Sequence, residues 1–355
     1  MSTAKKSPDT NPALRGPLRI VSIGGGTGLS SLLKGLKLYA SGPDPVATLA
    51  AIVTVTDDGG SSGRLRKDFA ILPPGDVRNC MVALAEEEAL LSQLFQYRFA
   101  SGRGLKGHSF GNLFLTALTH LTGDFASAVR FASGVLASSG EIIPSTAENV
   151  VITAKLQDGT LVTGESQISK TRSPIRDLRI LPRRPKPLPE ALAAIAEADL
   201  ITFGPGSLFT SVIPNLLVSG IPAAIVASPA LKVCIGNLMG QPGETVNFTA
   251  SDHVRAILRH TGLSGDKRNR FLEYVVLNSQ GINPRHLGTY ADRHALPVEN
   301  DTVTLRSMGL QIVKGELLEP GEKIRHNPRA TAEILLKLAK LGRRRRQIQG
   351  AKQTL

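Results

Sequence analysis

The run Leu18–Ile23 is apolar and breaks at once into Gly24-Gly25-Gly26-Thr27-Gly28, after which leucines recur at helical spacing at positions 29, 32, 33 and 36. A buried strand, a glycine turn and an amphipathic helix in direct succession leave few ways to fold. Ala47–Val55, rich in Ala, Ile, Val and Thr, reads as a second buried strand. Strand, helix, strand predicts a parallel sheet, because parallel neighbours need a crossover connection that lays helices on the sheet faces.

The same logic returns much later. Leu200–Phe203 is a strand, Gly204-Pro205-Gly206-Ser207 a second glycine turn, and a helix starts near Leu208. Between the two units the periodicity is helical from about residue 76 to 137, with helices expected at Val77–Glu88, Ala89–Phe99, Phe110–Leu121 and Asp124–Leu136. Asp158-Gly159, flanked by Val150–Leu156 and Thr160–Gln167, is a tight-hairpin signature at about 150–167. Lys170–Pro189 is a basic, proline-rich connector with a short strand at Asp177–Leu181, followed by a helix at Pro189–Glu197. Leu231–Ile235 and Leu272–Leu277 are further strands, with a helix at Asp252–Thr261, and the last helix is expected at Ala330–Leu341. The fold class is therefore α/β, Rossmann-like, a mostly parallel sheet with helices on both faces plus a helical insertion and a β-hairpin. One such domain is expected over residues 18–341, after a disordered leader (1–17) and before a basic tail (342–355).

The formal net charge is +13, and ten of those charges lie in residues 1–19 and 337–355, leaving three for the 317 residues between. Basicity of that kind is a property of the ends. With no Trp and only 4% aromatic residues, no stacking platform accompanies it, so no specific nucleic-acid binding is expected. No apolar run reaches 18 residues, and the polar N-terminus lacks a signal-peptide core, so no membrane insertion and a cytoplasmic location are expected. Cys80 and Cys234 stand alone, without metal-type spacing.

Several segments carry chemistry. The first glycine turn misses the third glycine of a dinucleotide fingerprint, which falls on Leu29 or Ser31, and lacks the Lys-Ser/Thr of a P-loop. What is left is either a structural tight turn or a cradle of backbone N–H groups facing an anion, with Thr27 adding a hydroxyl. Asp57 and Asp58 end the second strand and lead into the polar loop GGSSGR, whose Ser61, Ser62 and Arg64 suit a phosphorylated ligand with Mg²⁺ between acid and phosphate. Asp76 reads as a helix N-cap, with Arg78 and Asn79 in the first turn behind it. His108 and Ser109 precede another helix, which either can cap, and Asn112 follows. Gly206 and Ser207 form the second cradle. Asn237, Gln241 and Glu244 follow a strand, and Arg325 and His326 precede the last helix. Two cradles in one chain fit one extended ligand.

Together these motifs resemble the CofD/YvcK family. The likeness rests on IGGGTGL, TDDGGSSGRLR, PPGDVRN, GHSFGN, TGDF, DGTLVTGES, GPGSLFTSVIPNLL, TASDH and RHN, in order from about Leu18 to Ala339. The hairpin and the GPGSLFTSV entry look more like the YvcK branch, the gluconeogenesis factors. That branch implies binding of a nucleotide-diphosphate sugar such as UDP-N-acetylglucosamine and support of cell shape and envelope synthesis, with no assigned reaction. The transferase branch implies a Mg²⁺-dependent 2-phospho-L-lactate transferase acting on a nucleotide-activated lactate, with Asp57 and Asp58 catalytic and holding the metal. By position, the resemblance implies a nucleotide and phosphate site made of Gly25, Gly26, Thr27, Ser61, Ser62, Arg64, Asn79, Asn112, Gly206, Ser207, Asn237, Glu244 and Arg325. A homodimer is the expected assembly. Between Glu244 and Thr249 the family usually has a Thr-Asp-Gly-Tyr-like run where this chain has TVNF, so the roles that the family gives that Asp and that Tyr do not carry over.

Overall fold

The computed structural model describes residues 16–353 apart from 44, 87–88, 285–286 and 289–294; residues 1–15 of the expected leader lie outside the described part. Seven parallel strands form the main sheet: β1 (Leu18–Gly24), β2 (Ala47–Val53), β3 (Glu141–Pro144), β7 (Leu200–Phe203), β8 (Leu231–Ile235), β9 (Tyr274–Asn278) and β10 (Gln311–Gly315). Their order across the sheet is β10-β9-β8-β7-β1-β2-β3. From β1 the chain steps outward through β2 to β3. It then returns to β7 on the other side of β1 and steps outward again. β1 and β7 thus flank the point where the winding reverses, and a crevice opens there beyond the carboxyl ends of the strands. Both glycine turns leave from those two ends.

Every residue of β7 and β8 is buried, as expected of parallel strands covered by helices on both faces. The helix α1 (Gly26–Lys37) buries Leu29, Leu32, Leu33 and Leu36, the positions that the spacing singled out. The helical block consists of α3 (Gly75–Leu84), α4 (Ala89–Gln96), α5 (Phe110–Thr122) and α6 (Phe125–Val135), following α2 (Gly60–Phe69). Asp158-Gly159 does turn a hairpin. Strands β4 (Val151–Leu156) and β5 (Leu161–Thr163) pair antiparallel, and β6 (Ile175–Leu181) joins β4 on its other side to make a separate three-stranded sheet.

Three expectations change. GGSSGRLR is not a loop but helix α2, because Ser61, Ser62 and Leu65 turn inward and are buried, so tertiary packing overrides the low helix propensity of Gly and Ser. Asp76 is not an N-cap: α3 begins one residue earlier, at Gly75, with Pro74 at the cap position. The last helix runs from Pro328 through Gln353, and part of the expected solvated tail is tied down. Arg343 donates to Asp199 Oδ2 from Nε (3.0 Å) and Nη2 (2.6 Å), and also to the carbonyl oxygens of Gly16 (2.7 Å) and Pro17. Asp199 is 3% exposed on its side chain and Arg343 12%, and the same Oδ2 accepts the Arg19 N–H at 2.9 Å. Arg345 pairs with Glu273. Asp199 and Glu273 thus hold Arg343 and Arg345 against the body of the protein.

Removing one partner of a buried ion pair strands the other charge, at about 3–5 kcal/mol. Asp199→Ala is therefore expected to lower the unfolding free energy by about that amount, measured by urea denaturation. Lys340→Ala, on the same helix and exposed, should change it by less than about 0.5 kcal/mol.

Candidate functional site

The two glycine turns touch. A Cβ on Gly28 would sit against the carbonyl oxygen of Pro205 and 2.7 Å from the Cα of Gly206, so only glycine lets the turn after β7 lie on the first turn of α1. Asn215 closes the junction from behind, donating to the carbonyl of Gly24 at 3.1 Å. In front opens a cleft of about 700 Å³. Its floor is Gly25–Gly28 and Pro205–Ser207, and one wall continues down α1 through Ser30, Ser31 and Lys34 to Arg325, His326 and Pro328. Asn79, Val82 and Gln96 form a second wall, and Asn237–Pro242 a third. Glu319 is the one carboxylate among the lining residues, against Lys34 and Arg325. Backbone N–H groups at the start of a twelve-residue helix, hydroxyls and two cations make a surface for anionic oxygens.

The third wall steadies the second turn. Asn237 donates its amide to the carbonyl of Gly206 (3.1 Å), and Gln241 donates to Ser207 Oγ (2.8 Å). Gln241 Oε1 is left buried without a partner. Glu244 lies behind this wall and does not line the cleft. It is 4% exposed, and its carboxyl accepts the Phe209 N–H (2.9 Å) and the Thr210 hydroxyl (2.7 Å). Burial raises its pKa against those two hydrogen bonds.

Of the residues expected in one site, Gly25, Gly26, Thr27, Asn79, Gly206, Ser207, Asn237 and Arg325 line the cleft. Asp57, Asp58, Ser61, Ser62, Arg64 and Asn112 do not; they gather around the start of α2. There Asn112 Nδ2 donates to Ser61 Oγ (3.1 Å), and the same hydroxyl shares a hydrogen bond with His108 Nδ1 at 3.0 Å. Burial, helped by the nearby Arg64, lowers the pKa of His108. Asp58 accepts the Ser166 N–H at 2.8 Å, opening the short helix α7 (Glu165–Ile168). Arg64 donates to the carbonyl of Lys106 at 2.9 Å.

Asp76 joins the two groups, and its position was not apparent from the sequence. A Cβ on Gly25 would meet its Oδ2 at 2.6 Å, while Asp57 Oδ2 and Ser62 Oγ crowd the Cα side of Gly75. Burial, then the neighbouring Asp57, push Asp76 up to about 7. Burial, then Asp57, also push Glu165 up to about 9. Carboxyl groups with too little positive charge around them thus stand directly behind the first turn. Among the described residues no group of three or more His, Cys, Asp and Glu side chains is arranged to hold a metal ion. Asp57 and Asp76 nevertheless fit a divalent cation that takes its remaining ligands from phosphate and water, because such a cation would relieve their repulsion.

A parallel sheet with two glycine turns at its switch point defines a Rossmann-like α/β protein. The match to the family model described as 2-phospho-L-lactate transferase CofD covers residues 20–318, and the chain belongs to that family. It is 46% identical to the gluconeogenesis factor of Halalkalibacterium halodurans, covering 89% of this chain and 95% of that one. It is 44% identical to the gluconeogenesis factor of Bacillus subtilis, covering 91% of this chain and 98% of that one. A crystal structure of a protein from Bacillus halodurans superposes with a TM-score of 0.85 at 45% identity, covering 90% of this chain and all of that one.

His326 donates from Nε2 to the carbonyl of Gly236 at 3.1 Å, and burial pushes its pKa down to about 4. Folded, it is neutral; unfolded, it titrates near 6.5. The unfolded chain therefore binds more protons between about pH 6.5 and 4, and stability falls as pH falls through that window. Going from pH 7 to pH 5, wild type is expected to lose roughly 2 kcal/mol more unfolding free energy than His326→Asn. Urea midpoints of the two proteins at both pH values measure this.

Proposed function

We propose that the cleft binds a nucleotide-diphosphate sugar of the UDP-N-acetylglucosamine type. In this reading the chain acts as a gluconeogenesis factor, linking carbon metabolism to cell shape and envelope synthesis. The observation that carries it is the contact between the two glycine turns. Two sets of backbone groups, a few ångströms apart and flanked by Lys34 and Arg325, suit two linked phosphoryl groups better than one. The polar walls at Asn79 and at Asn237–Gln241 leave hydrogen-bonding room on both sides for a sugar and a nucleoside. The similarity to gluconeogenesis factors over some nine-tenths of the chain supports the cellular role.

A charge-assisted hydrogen bond contributes about 1.5–3 kcal/mol. Arg325→Ala is accordingly expected to weaken UDP-N-acetylglucosamine binding at least about tenfold. Calorimetric titration of wild type and variant measures this, and equal affinities would remove Arg325 from the site.

A second reading is favoured by the carboxyl groups behind Gly25: a Mg²⁺-dependent phospholactate-type transferase. When bound there, Mg²⁺ would supply charge neutralisation for the nucleoside monophosphate that departs as the phospholactyl group passes to the acceptor hydroxyl. Asp57 and Asp76 would hold it, Asp58 being engaged by Ser166. Incubation of the protein with Mg²⁺, nucleotide-activated lactate and deazaflavin acceptor, followed by chromatography, tests this reading. No phospholactyl product would discard it for that acceptor.

A further inference from the structure

The helix entered at Leu208 does not begin as an α-helix. Over Leu208–Val212 the chain makes a π-helical turn, in which the Val212 N–H donates to the carbonyl of Ser207 (3.1 Å) and the Ile213 N–H to that of Leu208. Ser211 lies within this turn and lines the cleft. Its Oγ lies 3.6 Å from where Gly26 would carry a Cβ, and its own Cβ lies 3.7 Å from the equivalent point on Gly206. Ser211 is thus wedged between the two turns, 6% exposed, and lines the cleft. Its hydroxyl has no hydrogen-bond partner among the described residues. Turns of this kind are rare and concentrate at functional sites.

The π turn is braced by a buried acid. Glu244 accepts from Phe209 and Thr210, the two residues immediately before Ser211. Gln241 and Asn237, on the same segment, hold Ser207 and Gly206. The stretch that follows β8 therefore serves as a mould for the second turn.

We infer that Ser211 is a diphosphate ligand. Its hydroxyl donates to the oxygen shared between, or adjoining, the phosphoryl groups that rest on the two glycine turns. Glu244 is a positioning residue, acting through the π turn without touching ligand. The inference rests on the nucleotide-diphosphate reading of the cleft and adds to it one residue that contacts ligand and one that aims it.

The test uses the full chain and three probes: inorganic pyrophosphate, UDP-N-acetylglucosamine and uridine, titrated calorimetrically. Ser211→Ala is expected to weaken pyrophosphate and UDP-N-acetylglucosamine by a similar factor, about tenfold, with uridine affinity and thermal midpoint unchanged. Glu244→Gln keeps the shape but turns one acceptor into a donor facing Phe209 or Thr210. It should lower the thermal midpoint and weaken pyrophosphate, while Ser211→Ala/Glu244→Gln should bind pyrophosphate no more weakly than Ser211→Ala alone, because both act through one hydroxyl. Wild-type affinity of Ser211→Ala for pyrophosphate, or an equal loss for uridine, would overturn the assignment. If Arg325→Ala weakens UDP-N-acetylglucosamine and Ser211→Ala does not, the nucleotide-sugar reading stands and the inference falls. If wild type binds neither pyrophosphate nor the nucleotide sugar, both fall.

Discussion

Everything at the candidate site depends on how closely two pieces of backbone approach at the switch point. β1 and β7 are neighbours in space and about 180 residues apart in sequence, and each ends in a turn that must pass the other. Gly28 permits this because it has nothing to place where Pro205 and Gly206 lie. Core packing at native density tolerates almost no extra volume. A single methyl group here would therefore push the second turn away from the helix terminus it faces. The supporting contacts are arranged around that one requirement: Asn215 on Gly24, Asn237 on Gly206 and Gln241 on Ser207.

Behind the cradle the electrostatics change sign. The cleft surface is rich in donors, whereas Asp76 lies under Gly25, with Asp57 and Glu165 close enough to interact, and burial, then Asp57, raise the pKa of Asp76 and Glu165. An anionic ligand on the front and partly protonated carboxyl groups at the back are compatible only because glycine backbone separates them. The arrangement serves a binder, whose ligand needs a polar but nearly neutral backing. It also serves an enzyme, whose cation would occupy the boundary. The two proposed readings therefore share one geometry and differ in what fills that boundary.

Much of this was legible in the chain. Strand, glycine turn and helix at Leu18–Lys37, and again from Leu200, follow from apolar runs broken by glycine, and the family motifs supply the rest of the site. What escaped reading has physical reasons. β3 is four residues long at a sheet edge, too short for a period to emerge, and β10 alternates only weakly. The helix α2 is built from glycines and serines, residues that favour turns until buried partners such as Asn112 and His108 engage their hydroxyls. Glu244 lies outside the cleft lining, on Phe209 and Thr210, because a residue's neighbourhood in sequence says little about which side of a turn it supports. Ser211 was hidden for a related reason: it lies in a five-residue turn that no composition encodes.

The last helix has a consequence for how the protein comes into being. It begins beside the cleft at Pro328 and reaches, at Arg343, the acid that also receives the backbone of Arg19. The chain at the start of β1 therefore completes its hydrogen bonding only with residues from positions 199 and 343. Long-range closure of this kind is entropically slow. On a ribosome that delivers the chain from its N-terminus, the first glycine turn and Lys34 emerge well before the partner turn at Gly204–Ser207, and that partner turn well before Arg325 and the helix from Pro328.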